Sequence, residues 1–309
     1  MRKCISILLI VLILITGGYF SFQYILMVTA DKSWIQDFGY QQEEIYDLSL
    51  DRLGCPAIPV SIEGHTFPFT FDTGCSSGFL LTSLLEGKID YTLVGQTEQL
   101  NRDGSHRGWS KAVLLKEFTV FGNKHTNIET TLADWEMFSS AKFNGLIGLK
   151  YFSSQVVTLD YTGRKIAVTN RPIDYSKLDT EKYVILPLHQ SEQDGLGNHL
   201  FFEATLNDAP ITVYLDTGKN HSYLHHELSD FRPGAGKPSA PKRNAAILLG
   251  DMELPLNGLI EANLAQVDDL PYPIAIELNS DQIQKNNLLI TIDMITRHIV
   301  FRRLEDNMR

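Results

Sequence analysis

Phe69-Thr70-Phe71-Asp72-Thr73-Gly74 and Val213-Tyr214-Leu215-Asp216-Thr217-Gly218 lie 144 positions apart, and each ends a run of alternating apolar residues on the same tripeptide. Reading backwards from Asp72, Phe71, Phe69 and Phe67 share one face of a strand. A turn follows at Glu63-Gly64, and Ile62, Val60 and Ile58 alternate on the incoming strand. Period-two alternation on both sides of a two-residue turn predicts a β-hairpin. From Asp216 the same reading gives Leu215, Val213 and Ile211, a turn at Asn207-Asp208, and Leu206, Ala204 and Phe202. Beyond the tripeptides, Phe79-Leu80 falls opposite Tyr223-Leu224 at the same offset. A second pair of landmarks closes each copy: 159–166, with Asp160, Gly163 and Ile166, and 292–299, with Asp293, Arg297 and Ile299. Two matched sets of landmarks predict an internal duplication of β-rich halves.

Composition bounds the function. The 309 residues suffice for about two domains, and 43% apolar content provides for substantial cores. A formal charge of −10, from 27 basic against 37 acidic side chains, leaves no basic face for nucleic acid. Residues 4–27 carry no charged side chain and follow Arg2 and Lys3, so residues 1–30 are expected to anchor the chain in a membrane, with everything after them extracytoplasmic. Val28-Thr29-Ala30 resembles a cleavage site, which would release a secreted protein, but the apolar run exceeds the usual signal core.

Residues 31–50 read as a stalk and lead-in, with Trp34, Phe38 and Tyr46 as docking points. Residues 51–175 and 176–309 read as the two halves, joined by a polar stretch near 170–182. Strand-like runs at 113–115, 118–121, 156–159, 247–249 and 288–292 make the chain all-β, with short helical turns expected at 80–85 and 224–228. Residues 232–243, with three prolines and two glycines, read as a loop. Of the three cysteines, Cys55 and Cys75 bracket the first hairpin. Pairing that sets residue 56 opposite residue 72 brings them near one level, so they form either a disulfide or two small buried thiols.

A single Asp at a strand end is ordinarily a turn former. Two of them, on matched halves packed about a pseudo-twofold axis, can meet face to face. Two carboxylates at about 3 Å share one proton, and such a pair can activate a water while protonating a leaving group. The glycine after each Asp-Thr permits a tight turn and close approach of the opposite loop.

Phe71-Asp72-Thr73-Gly74-Cys75-Ser76, Asn144-Gly145-Leu146-Ile147-Gly148-Leu149 and Val157-Thr158-Leu159-Asp160 resemble the aspartic proteases of the retropepsin and pepsin type. The resemblance covers about 51–303 as two lobes in tandem. It implies two β-barrel-like lobes, a single-chain pseudo-dimer, a peptide or protein substrate, and no metal or organic cofactor. Asp72 and Asp216 would be the catalytic pair. Thr73 and Thr217 would join their loops by mutual hydrogen bonds, with Gly74 and Gly218 beside them. A flap would correspond to residues 100–113, with an Asp103-Gly104 turn and Trp109 near its tip. The chain departs from the pattern at Lys219, where a small residue is usual, and in 274–278, where Ala275-Ile276-Glu277 replaces the apolar-apolar-Gly segment at Leu146-Ile147-Gly148.

Three other readings compete. Gly74-Cys75-Ser76-Ser77-Gly78 fits a serine-hydrolase elbow, which needs a strand before and a helix after the serine. His221, His225, His226 and Glu227 could offer metal ligands from a helix, or be polar surface residues. A non-catalytic binding protein of the same fold would keep the architecture and lose the chemistry through Lys219.

Overall fold

Ile62 pairs with His65 across the turn at Glu63-Gly64, and Leu206 pairs with Ala209 across Asn207-Asp208. All four turn residues have positive φ, between 50° and 79°. This is the turn geometry whose twist suits a two-residue hairpin. Ala57 therefore faces Thr70, and Cys55 falls one residue out of the expected register against Asp72. Ile58, Val60, Ile62, Phe69 and Phe71 are fully buried, at about 1.5–3 kcal/mol for each large side chain.

The computed structural model describes residues 31–100, 106–133, 143–226 and 242–304. The chain begins with the helix α1 (Ser33–Asp37). It continues through β1 (Ile45–Asp47), β2 (Ser49–Leu50), β3 (Pro56–Ile62), β4 (His65–Phe71), β5 (Phe79–Thr82), β6 (Thr92–Leu100), β7 (His106–Val120), β8 (Asn123–Ala133), β9 (Gly145–Ile147), β10 (Val156–Asp160) and β11 (Lys165–Thr169). Then follow β12 (Val184–Pro187), β13 (Leu200–Leu206), β14 (Ala209–Asp216), β15 (Tyr223–His225), β16 (Lys242–Leu249), β17 (Met252–Ala262), β18 (Ile274–Asn279), the helix α2 (Ser280–Lys285), β19 (Leu288–Asp293) and β20 (His298–Arg303). The protein is mostly β, with barrel-like sheets. Among the described residues no helix is long and apolar enough to cross a membrane, and the expected anchor lies outside them.

One pairing pattern occurs twice. In the first half β3 pairs antiparallel with β4 and β7, β4 runs parallel to β9, β5 runs parallel to β8 and antiparallel to β9, and β7 pairs with β8. In the second half β13, β14, β15, β16, β17 and β18 repeat these relations as a closed barrel. Phe71 faces Ile147 and Leu215 faces Leu278. The counterpart of Leu146-Ile147-Gly148 is therefore Glu277-Leu278-Asn279, not the triplet two positions earlier that the sequence suggests.

A third sheet joins the halves, in the order β1-β11-β10-β19-β20-β12. Its midpoint is the facing pair Thr158 and Thr291, whose hydroxyls hydrogen-bond at 2.7 Å. Asp160 and Asp293 end the two central strands and accept from the turns that follow, Asp160 from Gly163 N–H at 2.6 Å and Asp293 from Thr296 N–H at 2.9 Å. One face, with Val157, Leu159, Ile290 and Ile292, joins the main core. The other, with Val156, Ala167, Leu289 and Val300, is covered by Trp34, Phe38, Tyr40 and Tyr183.

Residues 31–50 are thus not a free stalk. Trp34 is fully buried and donates its indole N–H to Asp160 at 3.2 Å, while the Tyr40 hydroxyl meets Thr158 at 2.7 Å. Arg302 holds Asp31 and Asp37 and donates to Ser33 at 2.9 Å. Tyr46 packs on Phe121 with ring centroids 4.5 Å apart. A buried Trp and Tyr whose polar ends find partners form a stable backing to a sheet face.

The runs at 113–115 and 118–121 fall largely within one strand, β7. The turn expected at 80–85 is a strand followed by a 3₁₀ turn, Ser83–Leu85. Most of 232–243 lies outside the described residues.

Candidate functional site

Strands β4 and β14 end at Asp72 and Asp216, and the chain turns sharply after each. The Gly74 N–H donates to Asp72 Oδ1 at 2.8 Å, and the Gly218 N–H donates to Asp216 Oδ1 at 2.9 Å. Each loop thus fixes its own carboxyl by the same bond. The two carboxyls are close enough for Asp216 to act on the ionisation of Asp72. Gly218 and Gly74 make that approach possible: a β-carbon on Gly218 would stand 2.5 Å from Asp72 Oδ1, and one on Gly74 would stand 2.6 Å from Asp216 Oδ2. No side chain fits at such distances.

Below the carboxyls the loops are cross-tied. The Thr73 N–H donates to Thr217 Oγ1 at 3.1 Å, and the Thr217 N–H donates to Thr73 Oγ1 at 3.0 Å. Each hydroxyl in turn donates to the opposite strand, Thr73 to the Leu215 carbonyl at 2.9 Å and Thr217 to the Phe71 carbonyl at 2.6 Å. Both threonines are buried, so every bond of the set forms away from water, where an unpaired group costs about 1–3 kcal/mol.

The electrostatics are unequal on the two sides. Burial, followed by the charge of Asp216 and the hydrogen bond with it, holds the Asp72 carboxyl well above the usual carboxylate range, against the opposing Gly74 N–H and Lys219 charge. Lys219 reaches Asp216 Oδ2 at 3.1 Å and Glu277 Oε1 at 2.7 Å. Burial pulls the Lys219 ammonium down, but Asp216 and Glu277 outweigh it and raise it above its ordinary value. The raised carboxyl is thus that of Asp72, while Asp216 is the one paired with a cation, the asymmetry that a paired acid and base require.

The dyad loop of the second half has a support that the sequence did not disclose. The Ser280 hydroxyl donates to the Thr217 carbonyl at 2.8 Å and meets the Tyr161 hydroxyl at 2.9 Å. This ties helix α2 and the joining sheet to the tripeptide. Ser280 lies far from both tripeptides in sequence, and a lone serine at a strand end carries no local signal.

Cys55 and Cys75 are both free thiols, so the disulfide does not form. Burial, with the charge of Asp72, pushes the Cys75 thiol up to about 12. Asp103 and Gly104 lie outside the described residues. The long hairpin of β6 and β7 carries Trp109 opposite Glu98, well exposed. After Gly78 the chain enters strand β5 rather than a helix, which removes the serine-hydrolase elbow. His225 sits on a strand and accepts from the Leu264 N–H at 3.1 Å, so the histidine run is not the helix that metal ligation at that spacing needs, and Glu227 lies outside the described residues.

Comparison of the sequence with protein-family models and with curated proteins gives no match to either.

Proposed function

We propose that this chain is an aspartic endopeptidase, built as a single-chain pseudo-dimer of two acid-protease lobes related by a pseudo-twofold axis. The observation that carries this reading is the reciprocal set of bonds at the tripeptides, which holds the buried Asp216 carboxyl and the half-buried Asp72 carboxyl against each other. The repeated pairing pattern and the six-stranded joining sheet, centred on Thr158 and Thr291, support the two-lobed arrangement. In this reading a water lies between the carboxyls and a peptide carbonyl. Asp216, ionised, removes its proton as it attacks, and Asp72 gives its own proton to the carbonyl oxygen. Asp216 then passes the water's proton to the amide nitrogen while Asp72 takes back a proton from a hydroxyl of the tetrahedral diol, and the C–N bond breaks to give the acid and the amine. No metal or organic cofactor takes part.

The substrate is an extended peptide bound by strand-like hydrogen bonds between the lobes, beneath the hairpin that carries Trp109. With residues 1–30 as a membrane anchor, the catalytic region faces an extracytoplasmic space. The test is cleavage of a peptide library by the full chain in detergent, across acidic to neutral pH, with and without a statine-type inhibitor. Inhibitable cleavage that D72N and D216N each abolish is the expected result. Absence of turnover at every pH would leave a two-lobed peptide-binding protein as the better description.

A further inference from the structure

Lys219, Glu277 and Asn279 replace, as a set, what the first half holds at Cys75, Leu146 and Gly148. The correspondence follows from the strand register, with Phe71 facing Ile147 where Leu215 faces Leu278. In the first half these positions are a thiol, an apolar side chain and a glycine packed against Cys75. In the second half they form a charged network. The Lys219 ammonium bridges Asp216 Oδ2 and Glu277 Oε1, and the Asn279 amide donates to Glu277 Oε1 at 3.2 Å and to the His221 carbonyl at 2.5 Å.

Burial decides what this network does. The Glu277 side chain is 2% exposed and that of Asp216 5%, while Lys219 is 43% exposed. Two dehydrated carboxylates thus flank one ammonium that enters from the solvent side. A buried carboxylate is stable only when paired, and removal of its partner leaves an uncompensated charge. In the strand register of the barrel Glu277 lies opposite Tyr214 and Tyr223, and the charges around Tyr223 are Lys219, Glu277, Asp216 and Asp281. Within this setting the Lys219 charge acts on Asp72 and lowers it.

We infer that Lys219 and Glu277 form a counter-charge pair that positions the dyad's ionisation, fixing the carboxylate on Asp216 and the shared proton on Asp72. This rests on the dyad reading given above. The two members act in opposite senses. Lys219 draws the dyad toward the ionised state, and Glu277 moderates that pull by neutralising the ammonium. Glu277 touches no reacting atom and is a positioning residue.

The experiment follows the titration of Asp72 itself, by carbon NMR of the full chain in detergent with carboxyl-labelled aspartate, the signal being assigned by its loss in D72N. In E277Q the ammonium, no longer shared with Glu277, lowers the Asp72 midpoint. In K219M the uncompensated Glu277 carboxylate raises it, and the double variant, which removes both charges, lies between. A pair that serves only to stabilise the barrel would leave the midpoint in place or move it in one direction in both variants, and either result overturns the inference. If K219M fails to fold, E277Q carries the test by itself, since its midpoint must fall. The readout does not depend on turnover. Opposite shifts in a protein that cleaves nothing would keep the pair and overturn the peptidase reading; cleavage with unmoved midpoints would do the reverse.

Discussion

Gly218 lies so close to Asp72 that a β-carbon on the glycine would stand 2.3 Å from the aspartate's Cγ, and Gly74 bears the same relation to Asp216 at 2.7 Å. The two loops interlock, and each leaves room for the other's carboxyl only by having no side chain at this point. G218A must push Asp72 aside or separate the halves. Overpacking of this kind costs about 1–3 kcal/mol, and misplacement of a reacting group by about 1 Å costs on the order of 10²-fold in rate. Thermal melts and peptide turnover of G218A and G74A measure both. Wild-type stability and rate in either variant would mean that the carboxyls do not approach as described.

Removal of either carboxyl should silence the site. D72N and D216N each lose the acid or the base of the pair, a loss of about 10²–10⁴-fold or more in turnover. Unchanged far-ultraviolet circular dichroism would attribute the loss to chemistry rather than folding.

Stability should respond to pH through Asp72. Its carboxyl, held high by burial and by the neighbouring Asp216, keeps its proton in the folded chain over a range where the unfolded chain, titrating near about 3.9, has lost it. The folded state binds more protons there, so stability falls as pH rises through that window. D72N does not ionise and escapes the fall. Its melting temperature should exceed that of the wild type at neutral pH, with the gap closing below about pH 4. A constant gap at all pH values would refute this assignment.

The cross-tie can be measured as a unit. T73V removes the hydroxyl that donates to Leu215 and accepts from Thr217, and T217V removes its mirror image. Each variant leaves buried groups unpaired, at about 1–3 kcal/mol per group. Because the two hydroxyls act through shared partners, the double variant should lose less than the sum of the singles. Strict additivity in denaturant melts would show the ties to be independent.

Both described cysteines should resist alkylation in the folded protein. Burial raises both thiols, and Cys75 to about 12, so neither forms the reactive thiolate near neutral pH. Thiol counting in denaturant should give the same number with and without prior reduction. A smaller count without reductant would reveal the disulfide that the structure lacks.

The hairpins were legible because a two-residue turn and period-two alternation leave one register that buries the Phe, Ile and Val of the set, with Phe67 at the edge half-buried. The all-β class followed for the same reason. In residues 31–50 the docking of Trp34, Phe38 and Tyr46 was legible, but not Tyr40 or the partners, since Trp34 and Tyr40 meet Asp160 and Thr158 more than a hundred positions away. The counterpart of Leu146-Ile147-Gly148 was misplaced because the second half puts Glu277 and Asn279 where the first has Leu146 and Gly148. Only the strand register restores the correspondence. Helix α2 is too short for a periodic signal, and with it went Ser280, whose role depends on Tyr161 and Thr217 meeting there.

The wrapping of Trp34, Phe38 and Tyr40 over the joining sheet sets the smallest self-sufficient piece of this molecule. A truncation that begins at Asp31 keeps the whole hydrophobic backing, together with the clasp of Arg302 on Asp31 and Asp37. One that begins at residue 51 uncovers Val156, Leu289 and Val300 and takes both carboxylate partners from the Arg302 guanidinium, leaving it Tyr183, so it should precipitate where the longer fragment is recovered intact.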